Sequence, residues 1–83
     1  MKISEEGVAI SKRFFAALAM LKEQKKIRGL QTFTRNHDIN RWNINQVKFY
    51  PDRSVLKPEW IAYIHDDYGI SVTWIVLGKE PVF

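Results

Sequence analysis

Apolar residues in this chain recur at intervals of three and four, the spacing that gathers side chains on one face of a helix. Phe14, Ala17, Leu18 and Leu21 form the first such stripe. Ala16, Ala17 and Ala19 favour helix and let neighbours approach closely. Ser11 is a suitable N-cap for this helix, and Gly7 leaves open whether it reaches back to Ser4. Lys25 and Lys26 complement its negative end, and Gly29 follows as a natural stop. Leu30 to His37 predicts a short second helix with Leu30, Phe33 and His37 facing inward. A third runs from about Arg41 to Phe49, where Ile44 and Val47 face a core and Ile39 of the preceding turn can join them.

Tyr50 to Ser54 reads as a loop, because Pro51 and Asp52 are turn residues. Pro58 opens a fourth helix at the position where its missing N–H costs nothing. Its inward stripe is Ile61, Ile64 and Tyr68 with Trp60 beside them, and Gly69 ends it. Ile70 to Leu77 is rich in β-branched residues and by propensity alone suits a strand. Ser71 before it and Gly78 after it are helix punctuation, so a fifth short helix is preferred. The expected fold class is all-α: one compact five-helix domain over residues 1–83, its core about 11–80. The expected core is Phe14, Leu18, Leu21, Phe33, Ile39, Ile44, Val47, Ile61, Ile64 and Trp74. Pro81 to Phe83 can pack loosely, join a dimer or lead into further chain, and the sequence does not choose.

At 83 residues, 46% hydrophobic and 13% aromatic, the chain is one small domain rich enough to fold. It has no cysteine, so no disulfide or thiolate metal site is available, which fits a cytoplasmic location. No apolar run is long enough to span a membrane, and Glu5-Glu6 before the first stripe argues against a signal peptide. Charge is unevenly placed. Between Lys22 and Lys57, nine basic residues face only Glu23, Asp38 and Asp52, a net of +6. After Lys57 the balance is −3. The middle of the chain therefore suits a polyanion, although charge runs are usually just solvated faces.

The third helix coincides with that basic segment. Its outward positions carry Arg41, Trp42, Asn43, Asn45 and Gln46, with no carboxylate among them. Arg pairs with guanine edges, and Asn or Gln with adenine edges, through two hydrogen bonds each. Asn40 before it is a good N-cap. This composition suggests a recognition helix.

Two stretches carry a family resemblance. Tyr68-Gly69-Ile70-Ser71-Val72-Thr73-Trp74-Ile75-Val76-Leu77-Gly78-Lys79 resembles the closing pattern of the lambda-repressor-like, XRE-type helix-turn-helix family. Ile39-Asn40-Arg41-Trp42-Asn43-Ile44 resembles that family's aliphatic residue, small polar cap, two variable residues, polar residue and Ile. Arg13-Phe14 with Leu18 and Leu21 is similar to the opening of its first helix. The resemblance covers roughly Ser11 to Glu80. It departs at Leu30, Thr34 and His37, and at Asp38, which stands where the family has its turn glycine. The resemblance implies base contacts from Arg41, Trp42 and Gln46, with Asn43 and Asn45 beside them. It implies phosphate contacts from Gln31, Thr32, Arg35, Asn40 and Lys48. Trp42 has an equal second reading as a partly buried anchor of its helix. Lys25, Lys26 and Arg28 add longer-range attraction.

Catalytic and metal chemistry find little support. His37 and His65 have no second ligand at short spacing, so each reads as a packed, hydrogen-bonded side chain. Asp66 and Asp67 diverge as adjacent helical residues and read as solvated acids. No phosphate-binding glycine loop or nucleophile motif is present, and no cofactor is implied. The leading expectation is a repressor-type regulator binding specific double-stranded DNA as a homodimer. The rivals are a protein-interaction module on the same fold, such as an antitoxin or mobile-element accessory protein, and nonspecific nucleic-acid binding.

Overall fold

Ser4, not Ser11, opens the first helix. The computed structural model describes residues 2–83, and among them are five α-helices and no strand. α1 spans Glu5–Glu23, and the Ser4 hydroxyl accepts the N–H of Gly7 at 3.1 Å. Glu5 and Glu6 then occupy the positive end of the helix dipole. Ser11 lies two turns inside and is 2% exposed, so it cannot serve as a cap. Gly7 is accommodated in the first turn, where Ile3 Cγ2 stands 2.5 Å from where a Cβ would sit. α1 also ends earlier than Gly29. Gln24 caps it and Lys25 takes a left-handed backbone, with φ of 62°. Lys22 is thus the cation of the last turn, with Lys25 and Lys26 beyond it, and Ile27 drops back into the core.

Gly29, in extended backbone, instead becomes the N-cap residue of α2, Leu30–Asn36. The loop before α2 is tied down where the Thr32 hydroxyl accepts the Arg28 N–H at 3.2 Å. Four residues, His37 to Asn40, connect α2 to α3, Arg41–Phe49. Asp38 sits in the left-handed region at φ 52°, which Asp tolerates better than most side chains. The Ile39 N–H closes the turn by donating to the Thr34 carbonyl at 2.9 Å. Thr34 is buried, and its hydroxyl donates to the Gln31 carbonyl at 3.2 Å, so its extra polar group is satisfied.

α4, Pro58–Tyr68, starts on its proline, and α5, Val72–Leu77, starts where Ser71 Oγ accepts the Trp74 N–H at 3.1 Å. Gly69 and Gly78 close these helices in left-handed backbone, at φ 72° and 71°. α1 packs against α5 and α3, and α4 packs against α5. The shared core contains Phe14, Ala17, Leu18, Leu21, Ile27, Phe33, Ile44, Val47, Trp60, Ile64, Ile70 and Ile75. Phe14 and Phe33 meet edge to face with centroids 5.8 Å apart, linking α1 to α2. Ile39, Ile61 and Trp74 are corrections: they only flank this core, half-buried. On α4 it is Trp60 and Ile64 that are buried, with Ile61 and Tyr68 at the margin.

Polar ties fix the remaining edges. Arg13 of α1 donates from Nε to the Ile75 carbonyl at 2.7 Å and from a terminal nitrogen to the Val76 carbonyl at 3.0 Å. Those bonds satisfy two carbonyls that the end of α5 would leave orphaned. His37 Nε2 pairs with Asp67 Oδ2 at 2.6 Å and stacks on Tyr63 at 4.0 Å, joining the end of α2 to α4. Asp66 and Asp67 are both exposed, as expected of solvated acids, and Asp67 in addition holds His37. His65 Nδ1–H donates to the Ile70 carbonyl at 2.8 Å. Burial pushes the Tyr68 phenol above the ordinary tyrosine range, Asp67 adds to the push, and Asn36 opposes it. The C-terminal tail turns back onto the fold: the Val82 carbonyl accepts the Ser71 N–H at 2.6 Å, and Lys26 lies over the Phe83 ring. No helix among the described residues is long and apolar enough to cross a membrane.

Candidate nucleic-acid interface

Ile44 and Val47 anchor α3, exposed by 0% and 2%. At about 100° per residue, burying those two fixes where every other side chain of the helix leaves it. Asn40 starts the helix, its Oδ1 accepting the Asn43 N–H at 3.1 Å. The face directly opposite the core is then aromatic. Trp42 and Phe49, one heptad apart, are 69% and 66% exposed. That exposure removes the reading of Trp42 as a buried anchor. Asn45 flanks this ridge on one side and Gln46 on the other, both half-buried. Arg41 leaves the helix beyond Asn45, and Asn43 leaves it beyond Gln46, both exposed.

The expected site residues are not gathered into one cluster. Arg41 shares a recess with Gln31, Thr34, Arg35, Asp38 and Ile39, so it stands beside two of the expected phosphate contacts. Asn40 and Asn43 line a second recess on the α4 side, with His37, Lys57 and Tyr63. Gln46 lines a third, with Tyr50, Arg53 and Ser54. Lys48 lies near the junction of α1 and α2, beside Lys22 and Leu30. Thr32 turns its hydroxyl toward the Arg28 N–H, so its oxygen already serves the loop. The Asn40 oxygen is likewise taken by its cap, leaving its amide NH₂ as the free donor.

Electrostatically the surface is open. Among the described residues the carboxylates paired with a nitrogen side chain are Asp67, hydrogen-bonded to His37, and Asp52, 3.9 Å from Arg53. Arg35, Arg41 and Lys48 are exposed and have no carboxylate partner. Their charge remains available to an anion, in contrast to Arg13, whose donors are taken by α5.

Sequence reasoning treated Tyr50 to Ser54 only as a loop, yet Tyr50 and Arg53 belong to this surface. Arg53 lies over the Tyr50 ring, 4.8 Å from its centroid, and Lys48 Nζ lies 5.6 Å from the Phe49 centroid. Two adjacent rings, Phe49 and Tyr50, flanked by the cations Lys48 and Arg53 are the signal that could have found them. No family model, curated protein or solved structure matches this chain.

Proposed function

We propose that the chain binds specific sequences of double-stranded DNA, with α3 in the major groove, and acts as a repressor-type regulator. The observation that carries this reading is the outward surface of α3. It offers Arg41, Asn43, Asn45 and Gln46 as hydrogen-bonding side chains and holds no carboxylate. Groups of this kind reach base edges, and the exposed cations Arg35 and Lys48 would meet phosphates. The short α2–α3 connection, with Asp38 in the backbone conformation a turn glycine would take, supports a helix-turn-helix of the lambda-repressor-like class. A homodimer belongs to the same proposal, since paired half-sites multiply a modest single-domain affinity. In this reading no step is catalytic.

Selection on random duplex DNA at two salt concentrations tests it. A motif enriched at both supports the proposal, with affinity falling as salt rises. Salt-sensitive binding without a motif would reduce the surface to nonspecific attraction. Absence of binding would favour a protein-interaction module on the same fold.

A further inference from the structure

The turn that follows α3 carries a recess that shares only Gln46 with the duplex reading. Tyr50, Arg53 and Ser54 line it together with Gln46, and it is an open recess of about 310 Å³, the low end of the range for small-ligand sites. Its walls combine one aromatic ring, one guanidinium, one amide and one hydroxyl. The turn is held in shape by its own backbone. The Tyr50 carbonyl accepts the N–H groups of Arg53 and Ser54 at 3.0 and 3.1 Å. The Ile3 N–H donates to the Asp52 carbonyl at 2.8 Å, which ties the turn to the start of α1. Preorganisation of this kind lowers the ordering cost of binding.

We infer that this recess binds an unpaired nucleotide of a DNA strand, its base stacked on Tyr50 and its phosphate met by Arg53. Three observations lead there. Tyr50 is 44% exposed as a residue although Arg53 lies over its ring, so the side chain is not covered by the fold. Gln46 offers a donor and an acceptor at the rim, the pair of groups that a base edge accepts. Beyond the recess, Phe49 and Lys48 continue the same pairing of ring and cation along α3. A strand threads such a track with successive bases, whereas a free mononucleotide would fill only the first position. Asp52 is the adjacent carboxylate, but its pair with Arg53 is long and exposed on both sides, and competes weakly. Gln46 and Lys48 also serve the duplex reading, whereas Tyr50 and Arg53 lie after the end of α3 and outside the duplex contacts proposed above, so the inference is tested at those two residues.

The test is binding of a fluorescent oligothymidylate, about a dozen nucleotides long and free of base pairing, followed by anisotropy across a salt series. Tyr50→Ala should weaken binding by about tenfold or more and leave the salt dependence unaltered, because a stack releases no counterions. Tyr50→Phe, which keeps the ring, should bind like the parent. Arg53→Ala should lower the slope of log affinity against log salt by about 0.7. Arg41→Ala should leave oligothymidylate affinity unaltered, and Tyr50→Ala should leave the choice of duplex motif unaltered, so this site and the duplex surface fail separately. Parental affinity in both Tyr50→Ala and Arg53→Ala would overturn the inference. Thymidine monophosphate matching the oligomer in affinity would overturn it too, since a strand would then not be the ligand. So would a parent that ignores the oligomer and self-associates through Phe49, which would make the ridge a protein–protein surface.

Discussion

α3 and α5 begin alike and end differently. Each opens with a polar side chain that accepts the N–H three residues on, Asn40 to Asn43 and Ser71 to Trp74, both at 3.1 Å. Each buries its core-facing aliphatics, Ile44 and Val47 in one and Ile75 in the other. Outwardly they diverge. α5 shows Val72, Val76 and Leu77 to solvent and has its last carbonyls taken by Arg13. α3 shows rings, amides and cations, and its Arg41 has no carboxylate partner among the described residues. The lesson concerns arginine. The same side chain is a structural fastener where two carbonyls meet it and leaves its charge open to a ligand where none does.

Mutation can separate those roles, and the buried anchor should give the largest effect. Ile44→Ala should cost about 2–5 kcal/mol of stability in denaturant titration, because the site is fully enclosed. A variant as stable as the parent would mean α3 is not held by that face. Next comes the fastener. Arg13→Ala should cost about 1–3 kcal/mol, since it removes two charge-assisted hydrogen bonds and leaves α5 carbonyls open, while duplex affinity at a temperature well below unfolding stays parental. A loss of affinity with no loss of stability would reverse the roles assigned to Arg13 and Arg41.

The caps give the smallest change and sharpen the comparison most. Asn40→Ala and Ser71→Ala should each cost about 0.5–2 kcal/mol. Asn40→Asp keeps the accepting oxygen and adds a negative charge. It should therefore hold stability near the parent while weakening DNA binding, because a carboxylate repels phosphate. Equal binding by the Asn40→Asp protein would remove Asn40 from the interface.

Where a helix carries its own period, its fold was legible. The bounds of α3, the proline start of α4 and the Ser71 and Gly78 punctuation of α5 follow from local chemistry and match the structure. Loop residues carry no period, so Ile27 and Ile70 gave no sign of being fully buried. Ser11 looked like a cap because it precedes the apolar stripe, but the helix had already begun one serine earlier, at Ser4. Lys25 hid the end of α1, since nothing in a lysine announces a positive φ. The pairing of His37 with Asp67 spans thirty residues and depends on how α2 meets α4. Within the candidate site, the exposed amides and cations of α3 were readable from composition. Their separation into different recesses was not, because it follows from which neighbours pack on each flank.

If α3 reads base pairs, Arg41 is the side chain whose loss shows it. Arg41→Ala is to be measured beside the parent against the preferred duplex and its single-base variants. The expected loss is about 1–3 kcal/mol on the preferred site, with discrimination relaxed at one base pair, a G·C, and little change elsewhere. A loss spread evenly over every duplex would make Arg41 a phosphate contact, and no loss at all would take recognition away from α3.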